Sequence, residues 1–209
     1  MPRKSPVSAL RSYYQKSASD YDAFLGEELS LEETKSFLSL IPEDYHDPLL
    51  DVASGTGRIS REMSVRGLYY VGLDISDSML LILRKKTPML DADLVCASAT
   101  DLPFKRLGIP FVTCFGVTGY FDAKTQHRLM SEISKVASPE GRVVIDFLRP
   151  STKPSKLIQS EEAEEGNRVY LLRLSGVRER MRQSKFKIIN NRKTPRQVQF
   201  LLRKIGGKD

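Results

Sequence analysis

Through the first 150 residues, short apolar runs alternate with stretches in which apolar positions recur every three or four residues, the pattern of repeated strand, helix, strand units. The runs predict strands over 48–53, 69–74, 94–97, 111–115 and 142–147, with helices between them over 31–40, 57–65, 78–86 and 124–137. Strands this apolar need cover on both faces, and the intervening helices supply it. The expectation is therefore an α/β fold with a doubly wound, mostly parallel sheet covered on both faces. The turns agree: Ser76 is placed to cap a helix carrying Met79, Leu80 and Leu83 on one side, and Pro139-Glu140-Gly141 breaks the fourth helix before the fifth strand.

After Pro150 the pattern changes. Residues 151–167 are polar, with Glu161, Glu162, Glu164 and Glu165 in the middle, and predict a loop or an exposed helix. Residues 168–174 and 185–189 predict two further strands, paired antiparallel. A last helix is expected from Thr194 as cap and Pro195 at its first position, with Val198, Leu201, Leu202 and Ile205 at helical spacing and Gly206 and Gly207 stopping it.

With 209 residues, 40% of them hydrophobic, the chain suits one domain: N-terminal helices or a lid over 1–40, a core over 41–150 and a basic substrate-side region over 151–209. No apolar run approaches the roughly 20 residues of a membrane span, and the basic N-terminus lacks the apolar stretch of about 7 to 15 residues of a secretion signal, so the expected location is cytoplasmic. Cys96 and Cys114 each sit in an apolar run without metal-ligand spacing, which predicts buried free thiols and no metal site. The formal charge of +7 is unevenly placed. Residues 1–150 hold 18 basic against 20 acidic side chains, whereas 167–209 hold 13 against 2. That block suits an anionic partner such as RNA, an acidic lipid surface or a phosphorylated substrate, or else a solvated surface that aids solubility.

The most informative segment runs from Leu49 to Gly57. It places Asp51 near the end of a strand and then Ala53-Ser54-Gly55-Thr56-Gly57, a small-x-Gly-x-Gly loop opening a helix. Small residues let a ligand approach the backbone, and free N–H groups at a helix start favour an anionic group, so the loop reads as a nucleotide-type cradle; a tight strand-to-helix turn would need glycines as well. Asp74 ends the second strand 17 residues after Gly57, the reach from a glycine loop to a ribose. Its carboxylate can accept two hydrogen bonds from a vicinal diol. Alone it would read as a helix cap; with the loop, the ribose role is preferred.

Five blocks in order carry a resemblance to a known family: Asp51-Val-Ala-Ser-Gly-Thr-Gly57, Val71-Gly-Leu-Asp-Ile-Ser76, Ala97-Ser-Ala-Thr-Asp-Leu-Pro-Phe104, Phe115-Gly-Val-Thr-Gly-Tyr-Phe121 and Pro139-Glu-Gly-Arg-Val-Val-Ile145. Over residues 13–150 the sequence resembles the class I S-adenosylmethionine-dependent methyltransferases, and most of all the ubiquinone/menaquinone-biosynthesis (methyltransferase type 11/25) group, in which a segment like Tyr13 to Asp22 often precedes the core. The resemblance implies that the doubly wound sheet is Rossmann-like, the class I methyltransferase fold with a shortened C-terminal part, and that S-adenosyl-L-methionine is the cofactor. It implies that Asp51 and the backbone of Ala53 and Gly55 hold the methionyl end, with Gly57 opening the helix beside it. Asp74 would bind both ribose hydroxyls, Ile75 and Met79 would pack near the adenine, Ser98 and Ala99 would border its edge, and Phe115 would offer its carbonyl to the cofactor's amino group. Ser98 departs from the Asp that many relatives carry, which should weaken the adenine contact. Ile75, Met79 and Phe115 also read simply as core.

Methyl transfer by in-line displacement needs an acceptor atom held close to the methyl group in a dry, oriented site, and a general base is optional. Phe115-Gly-Val-Thr-Gly119 lacks the Asn-Pro-Pro-Tyr pattern of amide and exocyclic-amine methyltransferases, and Cys114 follows Thr113 rather than a Pro. Tyr120 is the candidate catalytic residue, with pocket lining as its alternative; His127 reads as a surface residue. Tyr13, Tyr14 and Tyr21 suit a lid or ordinary packing. The family's sheet normally ends in an antiparallel pair after a final helix, yet this chain stops just after the helix expected over 195–205. Either 168–189 replaces that pair or the C-terminal part of the sheet is shortened, leaving an open edge that predicts a partner or a homodimer. Three readings follow: transfer to a small anionic or aromatic metabolite, transfer to RNA through the basic region, or a non-catalytic scaffold. A hydride-transfer dehydrogenase fits poorly, because the chain lacks both G-x-G-x-x-G and room for a second domain.

Overall fold

Seven strands form one sheet in the order β3-β2-β1-β4-β5-β7-β6. In chain order they are β1 (Leu49–Val52), β2 (Tyr70–Asp74), β3 (Ala92–Cys96), β4 (Ile109–Cys114), β5 (Ala137–Leu148), β6 (Phe186–Lys193) and β7 (Gln197–Lys204). The pairs from β3 across to β5 are parallel, while β7 runs antiparallel to both β5 and β6. Among the described residues the α-helices are α1 (Pro6–Ser17), α2 (Tyr21–Leu25), α3 (Glu28–Leu38), α4 (Ser60–Val65), α5 (Asp77–Lys86), α6 (Ala123–Val136) and α7 (Leu174–Gln183). This computed structural model describes residues 6–25, 27–106, 108–150, 152–153 and 168–206.

Side chains alternate across the sheet, so each apolar strand feeds two cores. Leu50, Val52, Val112, Cys114, Val143 and Ile145 meet Leu129, Met130 and Ile133 of α6 on one face. Leu49, Phe111 and Val144 meet Phe37 of α3, Met63 of α4 and Leu83 of α5 on the other. The doubly wound, mostly parallel sheet is as the periodicity predicts, and Ser76 does cap α5, accepting from the Met79 N–H at 3.4 Å.

Four local expectations are corrected. The Pro139-Glu140-Gly141 turn does not separate helix from strand: β5 starts at Ala137, and the kink appears as a positive φ of 62° at Glu140 and a register shift against β4. Residues 168–173 do not form a strand, and the Tyr170 N–H donates to the Gly119 carbonyl at 2.7 Å. Leu174, Val177 and Met181 instead share the helical spacing of α7 and pack into the α6 face. Cys114 is buried, but Cys96 is exposed because β3 is an edge strand.

The fourth correction is the largest. Val198, Leu201, Leu202 and Ile205 have helical spacing, yet 197–204 is strand β7. It lies between β5 and β6, where ladder bonds occupy both sides and both faces are covered: Val198, Phe200 and Leu202 enter the α6 face, while Gln197 and Gln199 are buried on the opposite one. Burial on both sides removes the polar face that a helix of this length would need. The cap signal becomes a hairpin: Thr194 N–H donates to the Gln197 carbonyl and its hydroxyl accepts from Gln197 N–H, both at 3.0 Å, around Pro195-Arg196. The sheet is therefore not cut short, and the edge beside β5 that motivated the homodimer is paired with β7. The acidic stretch Glu161–Glu165 and the stop at Gly207 lie outside the described residues.

Candidate functional site

At the carboxyl end of β1 the chain turns through left-handed conformations at Ala53 (φ 61°), Gly55 (φ 53°) and Gly57 (φ 87°). The first of these is a sparsely populated conformation for a residue with a Cβ, and the surrounding loop must hold it. Asp74, at the end of neighbouring β2, holds the loop: one carboxylate oxygen accepts from Gly55 N–H and the other from Ser76 N–H, both at 2.9 Å. Burial raises its pKa, and those backbone donors pull it back.

A cleft opens above this loop, lined by eight of the ten residues expected at a cofactor site: Ala53, Gly55, Asp74, Ile75, Met79, Ser98, Ala99 and Phe115. Leu73, Val117 and Phe121 add apolar wall, and Leu10 and Tyr14 of α1 with Tyr21 of α2 cover it. Tyr14 stands edge-on to Tyr13, Tyr21 and Tyr120, with centroids 5.1, 6.0 and 5.9 Å apart. Gln15 ties α1 to α5 through Asp77 and, at 3.0 Å, the Ser76 hydroxyl. Ser98 turns its hydroxyl toward Thr100, 3.0 Å from that side chain's oxygen. Phe115 stacks on Phe37 at 4.1 Å, with the Arg58 guanidinium 4.0 Å over its ring.

Asp51 and Gly57 lie outside the lining. Asp51 is buried beneath the loop and bridges three strands, accepting from Tyr70 of β2 at 2.5 Å and from Thr113 of β4 at 2.8 Å. Burial pushes its carboxyl up to about 7, against the lowering effect of those two hydroxyls. At Gly57 a Cβ would stand 2.3 Å from the Ser60 hydroxyl and 2.9 Å from Leu83, so this glycine is needed for close packing of the loop on α5.

A second, more polar cavity adjoins the first and shares Tyr21 and Gly116 with it. Tyr120 lines this cavity rather than the cofactor-side cleft, while His127 is exposed on α6 and lines neither. The remaining charged lining residues are Glu33, Arg58, Asp146 and Arg196, none of which the sequence reading singled out. Glu33 is fully buried and receives two hydrogen bonds from Arg196, at 2.8 and 2.6 Å. Arg58 approaches the same carboxylate at 3.7 Å and donates to Thr34 and to the Ser30 carbonyl, each at 2.7 Å. Asp146, at the end of β5, accepts from Gly116 N–H at 2.7 Å. Burial pushes its carboxyl up to about 7, opposed by that N–H and by Arg58. One signal for it was legible: a carboxylate inside Val143-Val144-Ile145-Asp146-Phe147 has to be buried for a reason.

Part of the C-terminal basic block is in internal use, while Arg173, Lys185, Lys187 and Lys193 are exposed. Arg196 and Lys204 are buried, the latter donating to the Ala137 carbonyl at 3.0 Å and to Ser134 at the end of α6. Arg182 pairs with Glu179 at 2.6 Å, Arg203 with Glu140 at 3.2 Å, and Arg180 bonds Gln126 at 2.9 Å. Among the described residues, no helix is long and apolar enough to cross a membrane.

Residues 50–145 match the family described as "Methyltransferase domain". This segment is a methyltransferase domain of the class I, S-adenosylmethionine-dependent type. The chain is 36% identical over 115 residues to the demethylmenaquinone methyltransferase of Streptomyces avermitilis, covering 54% of this chain and 48% of that protein. It is 33% identical over 140 residues to the biotin biosynthesis bifunctional protein BioHC of Cellvibrio japonicus, covering 66% of this chain and 27% of that one. The chain thus spans about half, or less, of the length of these curated relatives. Among solved structures, magnesium protoporphyrin IX methyltransferase from Synechocystis with bound S-adenosylmethionine superposes with a TM-score of 0.79 at 14% identity, over 98% of this chain and 99% of that one. That likeness establishes the class I methyltransferase fold. Methyltransferases of this family use S-adenosylmethionine.

Proposed function

We propose that the chain transfers a methyl group from S-adenosylmethionine to a small molecule. The observation that carries this reading is the cleft at the carboxyl ends of β1, β2 and β4, where ligands of open α/β sheets bind, with a carboxylate and a glycine loop at one end and apolar walls at the other. The cleft suits the cofactor. A Cβ on Gly55 would meet only Tyr21, at 3.9 Å, so the glycine leaves that space free for a ligand. A carboxylate has about four lone-pair positions, and the Asp74 contacts to Gly55 and Ser76 leave capacity for a ribose diol. In this reading Ala53 and Gly55 border the methionyl end, Ile75 and Met79 pack on the adenine with Ser98 and Ala99 at its edge, and the Phe115 carbonyl takes the amino group. Asp51 acts from below, fixing the strand ends through Tyr70 and Thr113.

The bound cofactor supplies a methyl group on a positively charged sulfur, which is displaced in line by the acceptor. The protein's part is to orient the two and to exclude water, which the tyrosine cover from α1 and α2 can do.

Calorimetric titration with S-adenosylhomocysteine tests the reading. Wild type should bind at about micromolar Kd, and Asp74→Ala should lose about 100-fold, the scale of two charge-assisted hydrogen bonds. Asp74→Asn, which retains an acceptor for Gly55 N–H, should fold normally and lose less. Absence of binding by folded wild type would overturn the proposal, and binding without transfer to any acceptor would leave the scaffold reading.

A further inference from the structure

We propose that the polar cavity beside the cofactor cleft is the acceptor pocket, that it takes a small neutral molecule bearing a phenol- or enol-type hydroxyl, and that Asp146 accepts the hydroxyl proton while Arg58 holds the oxygen left behind. This rests on the methyltransferase reading above.

The position of the cavity is the first argument. It meets the cofactor cleft at Gly116, whose φ of 86° follows directly on Phe115, and at Tyr21. A Cβ on Gly116 would meet only Arg58 Nη1, at 3.9 Å, so the missing side chain keeps the passage between the two spaces open.

The second argument is which polar groups are already satisfied. Glu33 and Arg196 take each other up through two hydrogen bonds and leave little net charge. Arg58 uses Nε and Nη2 on Thr34 and Ser30, which aims the guanidinium, and among the described residues its Nη1 has no hydrogen-bond partner. Asp146 gives Oδ1 to Gly116 N–H, and among the described residues Oδ2 has none. Of its charged side chains, the pocket therefore presents the Asp146 carboxylate as acceptor and the Arg58 guanidinium as donor for a ligand.

The third argument is chemical. An ionised oxygen or a free amine attacks with a lone pair it already has, so a buried carboxylate would only burden such an acceptor. An acceptor that arrives as a neutral hydroxyl needs its proton removed. Asp146 can take that proton because burial brings its carboxyl near neutrality. The groups facing it are Arg58 from the loop before α4, Glu33 of α3, Arg196 of the β6–β7 hairpin, Tyr21 of α2, Tyr120 of the turn after β4, and Cys114 of β4, whose thiol burial pushes up. The O–H bond breaks, its proton passes to Asp146 Oδ2, and the oxygen keeps the electron pair. That pair forms the bond to the methyl carbon while the donor sulfur keeps the pair of the broken C–S bond. The proton on Asp146 leaves to solvent with product release.

Carboxyl ¹³C NMR on aspartate-labelled protein reads Asp146 directly, with Asp146→Asn assigning the resonance and retaining an oxygen for Gly116 N–H. The expected midpoint is about 7, moved upward in Arg58→Gln. Catechol is the binding probe, and 1,2-dimethoxybenzene, with no proton to give, is its control. Catechol should shift the Asp146 resonance, with and without S-adenosylhomocysteine, and show a catecholate absorbance band near neutral pH. Asp146→Asn should abolish that band and weaken catechol at least tenfold while binding S-adenosylhomocysteine like wild type. A midpoint near the ordinary carboxylate value of about 4, or an Asp146 resonance unmoved by catechol, or equal response to the dimethoxy control, would overturn the proposal. Failure of S-adenosylhomocysteine alone to bind would instead overturn the methyltransferase reading.

Discussion

The two halves of the site use the same device. On one side Gly55, in a left-handed turn after β1, donates its N–H to Asp74 at the end of β2; on the other Gly116, in a left-handed turn after β4, donates to Asp146 at the end of β5. In both, a loop amide pins a carboxylate on the adjoining strand. The surroundings differ. Asp74 receives a second backbone N–H from Ser76 and sits among apolar walls, whereas Asp146 keeps one oxygen unbonded among the described residues and faces Arg58. In the proposed reading the first carboxylate serves recognition and the second takes a proton. The loop and carboxylate of the first half come from two short segments, 51–57 and 74–79, whereas the charged groups of the second come from α3, the loop before α4, β5 and the β6–β7 hairpin.

The largest test of that contrast is Glu33→Ala. It would leave the Arg196 guanidinium buried without its carboxylate, and a broken buried pair costs about 3–5 kcal/mol. Chemical denaturation should show that loss, and a cost under about 1 kcal/mol would mean that the pair does not organise this half.

The glycines sharpen the comparison next. Gly57→Ala drives a Cβ into Ser60 and Leu83 and should cost about 1–3 kcal/mol of stability. Gly55→Ala makes only an ordinary contact with Tyr21, at 3.9 Å, so it should cost no more than the left-handed strain, about 1 kcal/mol, but weaken S-adenosylhomocysteine binding markedly. Thermal denaturation and calorimetry together separate the two, and equal effects on both readouts would erase the distinction between packing glycine and ligand glycine.

The last test concerns Asp51, whose effect accumulates with pH. Its carboxyl in the folded state is raised to about 7, above the unfolded value, so it stays protonated in the native chain after the unfolded chain has ionised. The associated stability is fully present below about pH 4 and declines as pH rises toward 7. Within that window Asp51→Asn should flatten the fall by about 1.4 kcal/mol per pH unit, while Asp146 still contributes its own slope. Denaturation midpoints collected from pH 4 to 8 provide the check, and an unchanged slope would mean that Asp51 is ionised within the fold.

Residues 1–150 made the parallel sheet legible because apolar runs and amphipathic spacing agree with the turn signals, and Asp74 and the glycine loop were readable because their chemistry is local. Eight of the ten expected cofactor-site residues line one cleft for that reason. Only the folded chain decided the rest. Val198 to Ile205 carries a helical period, but insertion between β5 and β6 buries both faces and makes 197–204 a strand. Glu33 and Arg196 lie 163 residues apart, and no local pattern records that a buried guanidinium found its carboxylate. Sequence periodicity reports which face of a segment avoids water. Which buried charge meets which partner is fixed by packing across the sheet, where leaving either charge alone costs more than bringing distant segments together.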